Sequence, residues 1–250
     1  MKKILIRLGI TISIPMLSLI AFILFPGLSY AKKVQVENIS IHYNTSLDVE
    51  ATSLLHESLK MIKKSELFDP DFKIDLCLDD ESNYAFLFDK LRGPAFGYGV
   101  GNKVILKCEA DFKTNKAIGY GQAWDLAELI AHEIIHTYQY HHYGFATLKT
   151  PSWKLEGYAE YISRSESSYS ELNTSIDLLL SEREKVGESH WVWIKLDDGT
   201  GFPSQYLADK VLVQYLIEIE ELNYNQISND RRSRASIEDS ALNWYHEKQL

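Results

Sequence analysis

The sequence is short of positive charge. Of its 250 residues, 26 are lysine or arginine and 35 are aspartate or glutamate. Residues 1–31 contain three of the basic residues and no acidic one, so residues 32–250 carry 23 basic and 35 acidic side chains, a net charge of −12. This balance excludes most nucleic-acid-binding proteins and disfavours contact with anionic membrane surfaces. The sequence also lacks internal repeats and low-complexity tracts, and its length fits one domain or two small subdomains.

Cysteine is scarce as well, because Cys77 and Cys108 are the only two in the chain. Each lies at the end of an expected strand, so neighbouring strands could bring the two side chains together. An exported protein can keep a disulfide. Cys77 and Cys108 are therefore a disulfide candidate, with two free or buried thiols as the alternative.

The first 31 residues have the composition of an export signal. A start with three positive charges precedes an apolar stretch from residue 8 to residue 25. Ser29-Tyr30-Ala31 fits the small-x-small pattern of a cleavage site and predicts a cut before Lys32. The apolar stretch is also long enough for an uncleaved membrane anchor. With either alternative for 1–31, residues 32–250 lie outside the cytoplasm, as a secreted, periplasmic or membrane-anchored domain. The short lysine-rich start is typical of a bacterial protein.

Residues 132–136 carry the chemistry, since they spell His-Glu-Ile-Ile-His. Two histidines four residues apart lie one above the other on one face of a helix. That spacing lets two imidazoles hold one zinc ion. Glu133 lies between them, where its carboxylate can take a proton from water that the zinc has acidified to a pKa of about 7. The motif predicts His132 and His136 as metal ligands and Glu133 as the general base.

Catalytic zinc usually has three protein ligands and one open position, and two residues are candidates for the third. His142 would complete a spacing like that of the metzincins. That pattern needs glycine where this chain has Gln139, and a later methionine, whereas no methionine follows Met61. Nineteen residues separate Glu156 from His136, which is enough to end one helix, cross a loop and begin a second helix against the first.

The HExxH motif followed by Trp-x-x-Glu-Gly-x-Ala-Glu-Tyr at residues 153–161 resembles the gluzincin zinc metallopeptidases, the group that includes thermolysin and the M1 aminopeptidases. The second motif is closest to the M1 and small bacterial "peptidase MA-like" branch, and the resemblance spans roughly residues 72–222. It implies Glu156 as the third zinc ligand. It also implies that Glu160, one helical turn later, accepts the second ring N–H of a ligand histidine.

The segment 206–216 resembles a helix of the same branch, whose leading tyrosine hydrogen-bonds the oxyanion of the tetrahedral intermediate. The resemblance implies that role for Tyr206, although Asp209 replaces the usual small residue. A phenol suits the role because it is a neutral donor at pH 7. The alternatives are a packing role for Tyr206 and His190 as the donor.

Strand patterns gather before residue 110 and helix patterns after it, which predicts an α+β fold. The resemblance implies a thermolysin-like zincin, in which a small N-terminal sheet packs on the HExxH helix and a helical C-terminal lobe carries Glu156 and Tyr206. In the resembled families, the strand before the zinc helix is a sheet edge that pairs with an extended peptide. We expect Asn102–Leu106 to serve this way, with the glycine-rich stretch 93–101 as the turn that precedes it.

These patterns predict an exported zinc-dependent metallopeptidase with a peptide or protein substrate. Water activated by Zn²⁺ needs no acyl-enzyme, so no serine or cysteine nucleophile is expected. Two alternatives stay open: a binding or sensor protein on a gluzincin scaffold, and a zinc hydrolase of a non-peptide amide. The Gly-x-Met-x-Asn type of motif with which M1 enzymes read a free N-terminus is absent, which argues against an aminopeptidase.

Overall fold

The chain folds as a mixed α+β protein, and its computed structural model describes residues 17, 19–80, 82–186 and 192–249. The strands are β1 (Lys32–Val36), β2 (Ile39–Tyr43), β3 (Ile74–Cys77), β4 (Gly97–Val100), β5 (Lys103–Leu106), β6 (Glu109–Asp111), β7 (Lys116–Gly119), β8 (Gln122–Asp125), β9 (Trp193–Lys195) and β10 (Gly201–Pro203). The α-helices are α1 (Ala51–Ile62), α2 (Asn83–Arg92), α3 (Leu126–Tyr143), α4 (Ser152–Ser163), α5 (Leu172–Val186), α6 (Ser204–Glu218), α7 (Tyr224–Asn229) and α8 (Arg234–Lys248). Short 3₁₀ helices occupy Pro26–Leu28 and Gly144–Lys149.

The main sheet has five strands in the order β1-β2-β3-β5-β4. Strands β2, β3 and β5 run parallel, whereas β1 and β4 pair antiparallel with their neighbours. Parallel neighbours need a crossover connection, and α1 and α2 supply helices for the two crossovers. The sequence predicted α1 but not α2, so helices and strands are less segregated along the chain than expected.

The two faces of the main sheet bury different clusters, because successive side chains of a strand point to opposite faces. Leu76 and Val104 join the larger core, together with residues of α1 and α3. Cys77 and Ile105 point the other way, into a smaller cluster. The members of this smaller cluster are Tyr30, Cys77, Tyr84, Ala85, Phe88, Tyr98 and Ile105.

Cys77 and Cys108 are both free and buried, so the disulfide candidate is wrong. Cys77 belongs to the smaller cluster and Cys108 to the larger core. The two sulfur atoms are therefore buried in different clusters. Cys77 is the last residue of β3, whereas Cys108 lies two residues beyond the end of β5, where its side chain packs in the larger core.

We expect neither thiol to react quickly with a thiol reagent in the native protein. Burial raises the pKa of both thiols, that of Cys108 to about 12, so the reactive thiolate is rare at pH 8. A titration with a chromogenic disulfide reagent should give no fast phase under native conditions and two thiols per chain after unfolding without reductant. A count of zero after unfolding would show that the cysteines are bridged.

Helix α3 is the central element of the fold. It packs against α1 on one side, against α4 on another and along strands β4 and β5 of the main sheet. A three-stranded sheet, β6-β7-β8, leads directly into its first turn. Helices α4, α5, α6 and α8 form the helical C-terminal part of the protein, with β9 and β10 as a separate two-stranded sheet. This arrangement matches the coarse α+β prediction.

The expected substrate-binding strand is wrong, because Lys103–Leu106 lies inside the main sheet between β3 and β4. The edge strand is instead Gly97–Val100, within the stretch predicted to be a turn. A Cβ at Gly99 would lie 2.7 Å from the carbonyl oxygen of Glu133 and from Cβ of His136. Glycine is required for this close approach to α3. Because glycine has a low strand propensity, the sequence pattern did not predict a strand here.

Other local predictions change in detail. The interrupted strand at 34–43 is a hairpin of β1 and β2, with Glu37 at a positive φ of 50° in the turn. The polar stretch 223–230 contains α7, which begins with a capping box of Asn223 and Gln226. Residues 1–16, which make up much of the predicted export signal, lie outside the described residues. His190, the alternative oxyanion donor, lies outside them as well. Among the described residues, no helix is long and apolar enough to cross a bilayer.

Candidate metal centre

Helix α3 carries the HExxH motif. Asp125 caps its N-terminus, since its Oδ1 accepts a hydrogen bond of 2.9 Å from the N–H of Glu128. The helix ends at Gly144, which has a positive φ of 52°. Most of its residues are buried, so packing on the sheet and on α4 fixes its rotation. His132, Glu133 and His136 consequently face one cleft.

Helix α4 brings Glu156 to the same cleft. It lies unusually close to α6, because a Cβ on Gly157 would meet the backbone oxygen of Asp209 at 2.3 Å and Cγ2 of Val213 at 2.7 Å. Only glycine permits this approach. Gly157 therefore determines how closely α4 packs against α6, and this packing fixes the position of the Glu156 carboxylate.

The ligand atoms of His132, His136 and Glu156 form a small triangle. The two Nε2 atoms are 3.0 Å apart, and Oε2 of Glu156 lies 3.3 Å from each of them. Tetrahedral ligands at about 2.0–2.1 Å from a zinc ion lie about 3.3 Å from one another. The three side chains thus fit one small cation, and the group is a possible metal site within the described part of the chain.

Glu160 supports His132 from behind. Its Oε1 is 3.0 Å from Nδ1 of His132, and its side chain is fully buried. Arg164, one turn later and also buried, donates to Glu160 through Nε and to Glu128 through Nη1, and its guanidinium stacks on Phe202 at 3.9 Å. An acceptor at Nδ1 keeps the hydrogen on that nitrogen and turns the Nε2 lone pair toward the cluster.

Gln139 supports His136 in the same way. Nδ1 of His136 lies 2.8 Å from Oε1 of Gln139, and Nε2 of Gln139 donates to the carbonyl of Leu155 at 3.0 Å. The glutamine thus joins a ligand on α3 to the turn of α4 that carries Glu156. Sequence reasoning missed Gln139 and Arg164. The signal for Gln139 was its position three residues after His136, on the same helix face.

The charges of the cluster favour a cation. Burial alone would raise the pKa of Glu156, but the two imidazoles outweigh burial and hold this pKa well below its usual range. Burial alone would lower the pKa of His132, yet Glu156 and Glu160 raise it to about 10. Two carboxylates beside two imidazoles make positive charge favourable here, and either a proton or a metal ion can supply it.

The cluster lies in a cleft of about 500 Å³. One wall is the edge strand β4, and the other includes Thr147, Leu148 and Leu155. Glu133 lies against β4, where a Cβ on Gly97 would meet its carboxylate oxygen Oε1 at 3.1 Å. Burial raises the pKa of Glu133, and the neighbouring imidazoles of the cluster oppose that rise.

Tyr206, at the start of α6, also lines the cleft. Its ring stacks on the imidazole of His132 with centroids 5.6 Å apart, and it packs on Trp124 at 5.8 Å. Burial raises its pKa, so the phenol is neutral at pH 7. The ring of Tyr206 therefore packs beside a predicted metal ligand on the wall of the cleft.

The alternative third ligand lies away from the cluster. Nε2 of His142 is 2.8 Å from the carbonyl of Leu67. His141 stacks on Phe72 at 4.0 Å, and its Nε2 is 3.2 Å from Asp69. Both histidines are therefore engaged at the far end of α3.

The structure brings together at one cleft the residues that the two motifs and the segment 206–216 singled out. These residues are His132, Glu133, His136, Glu156 and Tyr206, with Glu160 behind His132. The sequence matches no known protein-family model, and no curated protein matches it. The geometry of the cleft is therefore the basis on which a function can be assigned.

Proposed function

We propose that this chain is an exported zinc-dependent metallopeptidase of the gluzincin type, with a thermolysin-like arrangement of sheet and helices. The observation that carries the proposal is the triangle of Nε2, Nε2 and Oε2 atoms from His132, His136 and Glu156. Two imidazoles and one carboxylate are a donor set of catalytic zinc, which keeps a further position open for water or substrate. Glu133 in the same cleft supports catalysis over a purely structural metal site.

A zinc ion held by these residues would polarise the scissile carbonyl and make water acidic enough to be deprotonated near neutral pH. Glu133 takes the proton of the attacking water and then delivers it to the leaving amine. Tyr206 donates its hydroxyl hydrogen to the oxygen that becomes negative. Glu160 and Gln139 hold the two imidazoles in the tautomer that presents Nε2 to the cluster.

An extended peptide is the substrate that the cleft supports best. Strand β4 has β5 on one side and no second partner among the described strands. An edge strand can add a peptide by backbone hydrogen bonds, and pockets between alternate side chains then give specificity. A small non-peptide amide would leave this wall of the cleft unused.

The proposal is tested by measuring zinc and cleavage together. The full chain is purified in detergent as wild type, as Glu156→Gln and as Glu57→Gln, which changes an exposed carboxylate on α1. Zinc is quantified after dialysis, and each protein is incubated with a mixed peptide library that is read by mass spectrometry. We expect about one zinc per chain and peptide cleavage for wild type and Glu57→Gln, and zinc affinity at least ~100-fold lower for Glu156→Gln.

Two results would contradict the proposal at different points. Stoichiometric zinc in the wild type without cleavage of any peptide would reject the peptidase and favour a sensor or a hydrolase of another amide. Zinc binding that is equal in wild type and Glu156→Gln would reject the ligand set itself.

A further inference from the structure

Residues 22–30 cover the second face of the main sheet, although the cut before Lys32, one of the two alternatives for residues 1–31, would remove them. Tyr30 is 7% exposed, and its hydroxyl donates to the carbonyl of Leu78 at 2.8 Å. Tyr84 on α2 is fully buried, and its hydroxyl donates to the carbonyl of Ile23 at 2.8 Å. Both tyrosines thus tie the segment to the folded domain at its two ends.

Aromatic packing strengthens this cover. The ring of Tyr84 contacts Phe22 at 5.6 Å and Tyr30 at 6.0 Å between centroids. Beneath these rings lie Cys77 and Ile105, which are fully buried strand residues. A chain that began at Lys32 would expose this apolar face to water and leave the carbonyl of Leu78 without its donor, and both changes cost stability.

The outer side of the same segment is apolar too. Leu24, Phe25 and Leu28 are more than half exposed, and so is Phe86 on α2. These side chains continue the apolar stretch that begins at residue 8 in the sequence. Exposed apolar surface of this kind marks contact with a protein or a membrane. Contact through apolar side chains with lipid tails does not require the positive charge that this chain lacks.

We infer that residues 22–31 remain in the mature protein as the cover of the second sheet face, and that the chain therefore stays attached to a lipid membrane. Residues 22–30 are used on both sides: the inner side chains of this segment complete the fold, and its outer side chains Leu24, Phe25 and Leu28 face the lipid. The cover lies on the opposite face of the sheet from α3, so this inference does not depend on the proposed hydrolysis.

The first test is the state of the protein made from the full reading frame in a bacterial host with a C-terminal tag. Intact mass spectrometry of the purified protein should give the uncleaved chain, at 28.7 kDa plus the mass of the tag. The protein should sediment with membranes, resist a high-salt wash and be released by detergent. A soluble species that begins at Lys32 would overturn the inference.

The second test asks whether the segment really covers the sheet. Cys77 reports on the covered face, and Cys108 on the opposite face is a built-in control. Tyr30→Ala in the full chain should lower the melting temperature by about 5–10 °C and speed native labelling of Cys77 at least about tenfold, with Cys108 unchanged. Phe25→Ala removes an exposed ring of the same segment and should change neither.

A Tyr30→Ala protein with wild-type stability and a protected Cys77 would overturn the inference even if the chain is found in membranes. Equal acceleration of both thiols would also overturn it, because that pattern indicates general unfolding rather than the loss of a local cover.

Discussion

Replacing Glu133 with glutamine is expected to lower kcat/KM for peptide hydrolysis by about 10²–10⁴-fold, the usual contribution of a general base. Glutamine has nearly the same shape, so it can keep the position against Gly97 and Gly99 of β4. It cannot accept a proton from water. Because Glu133 is absent from the triangle of ligand atoms, zinc content should stay at the wild-type level.

The measurement is a steady-state assay on a peptide that the wild type cleaves, with zinc quantified in the same samples. Glu57→Gln provides the matched control, since it makes the same chemical change at an exposed site on α1. Full activity in Glu133→Gln would show that another group takes the proton. Loss of both zinc and activity would place Glu133 among the residues that hold the metal.

Replacing Gly157 with alanine is expected to destabilise the protein by about 3 kcal/mol, in the range of a backbone overpacking defect. In most helices the same change stabilises by roughly 0.5–1 kcal/mol. Here the sign reverses, because the added Cβ would lie 2.3 Å from the backbone oxygen of Asp209. A backbone oxygen cannot rotate away as a side chain can, so α4 has to move away from α6.

A shift of α4 also displaces Glu156, so we expect weaker zinc binding in the folded fraction of Gly157→Ala. Thermal unfolding with and without added zinc measures both effects. Gly27→Ala is the control, since a Cβ at Gly27 meets nothing within 4 Å. Wild-type stability in Gly157→Ala would mean that α4 and α6 do not pack as closely as the structure has them.

The candidate site illustrates how far sequence patterns reach. The HExxH spacing singled out His132 and His136, because helical periodicity decides locally which side chains share a face. Glu156 was implied by the resemblance of residues 153–161 to the gluzincins, and its Oε2 completes the triangle. Gln139 and Arg164 were missed. Their roles depend on contacts with α4 and with Phe202, which lie far away in the chain.

The fold shows the same division. The hydrophobic periods of α1, α3 and α6 are visible in the sequence, and so is the alternation of β3, while β5 was expected as a strand. Strand β4 was not, since its two glycines are chosen for contact with α3 rather than for strand propensity. Helix α2 was not predicted either, and its Tyr84 is buried against a segment about sixty residues earlier.

By itself the sequence determined which functional groups the candidate site contains. These are two imidazoles at helical spacing, a carboxylate between them, and a second acidic motif far enough along the chain to lie on a helix that packs against the first. Tertiary structure alone decided that Gly97–Val100 is the sheet edge, that Gln139 joins His136 to α4, and that Cys77 and Cys108 lie in different clusters. The physical reason is the distance along the chain over which each interaction acts. Periodicity and capping act over a few residues, whereas the choice between distant partners is made by packing, which depends on every element of the core at once.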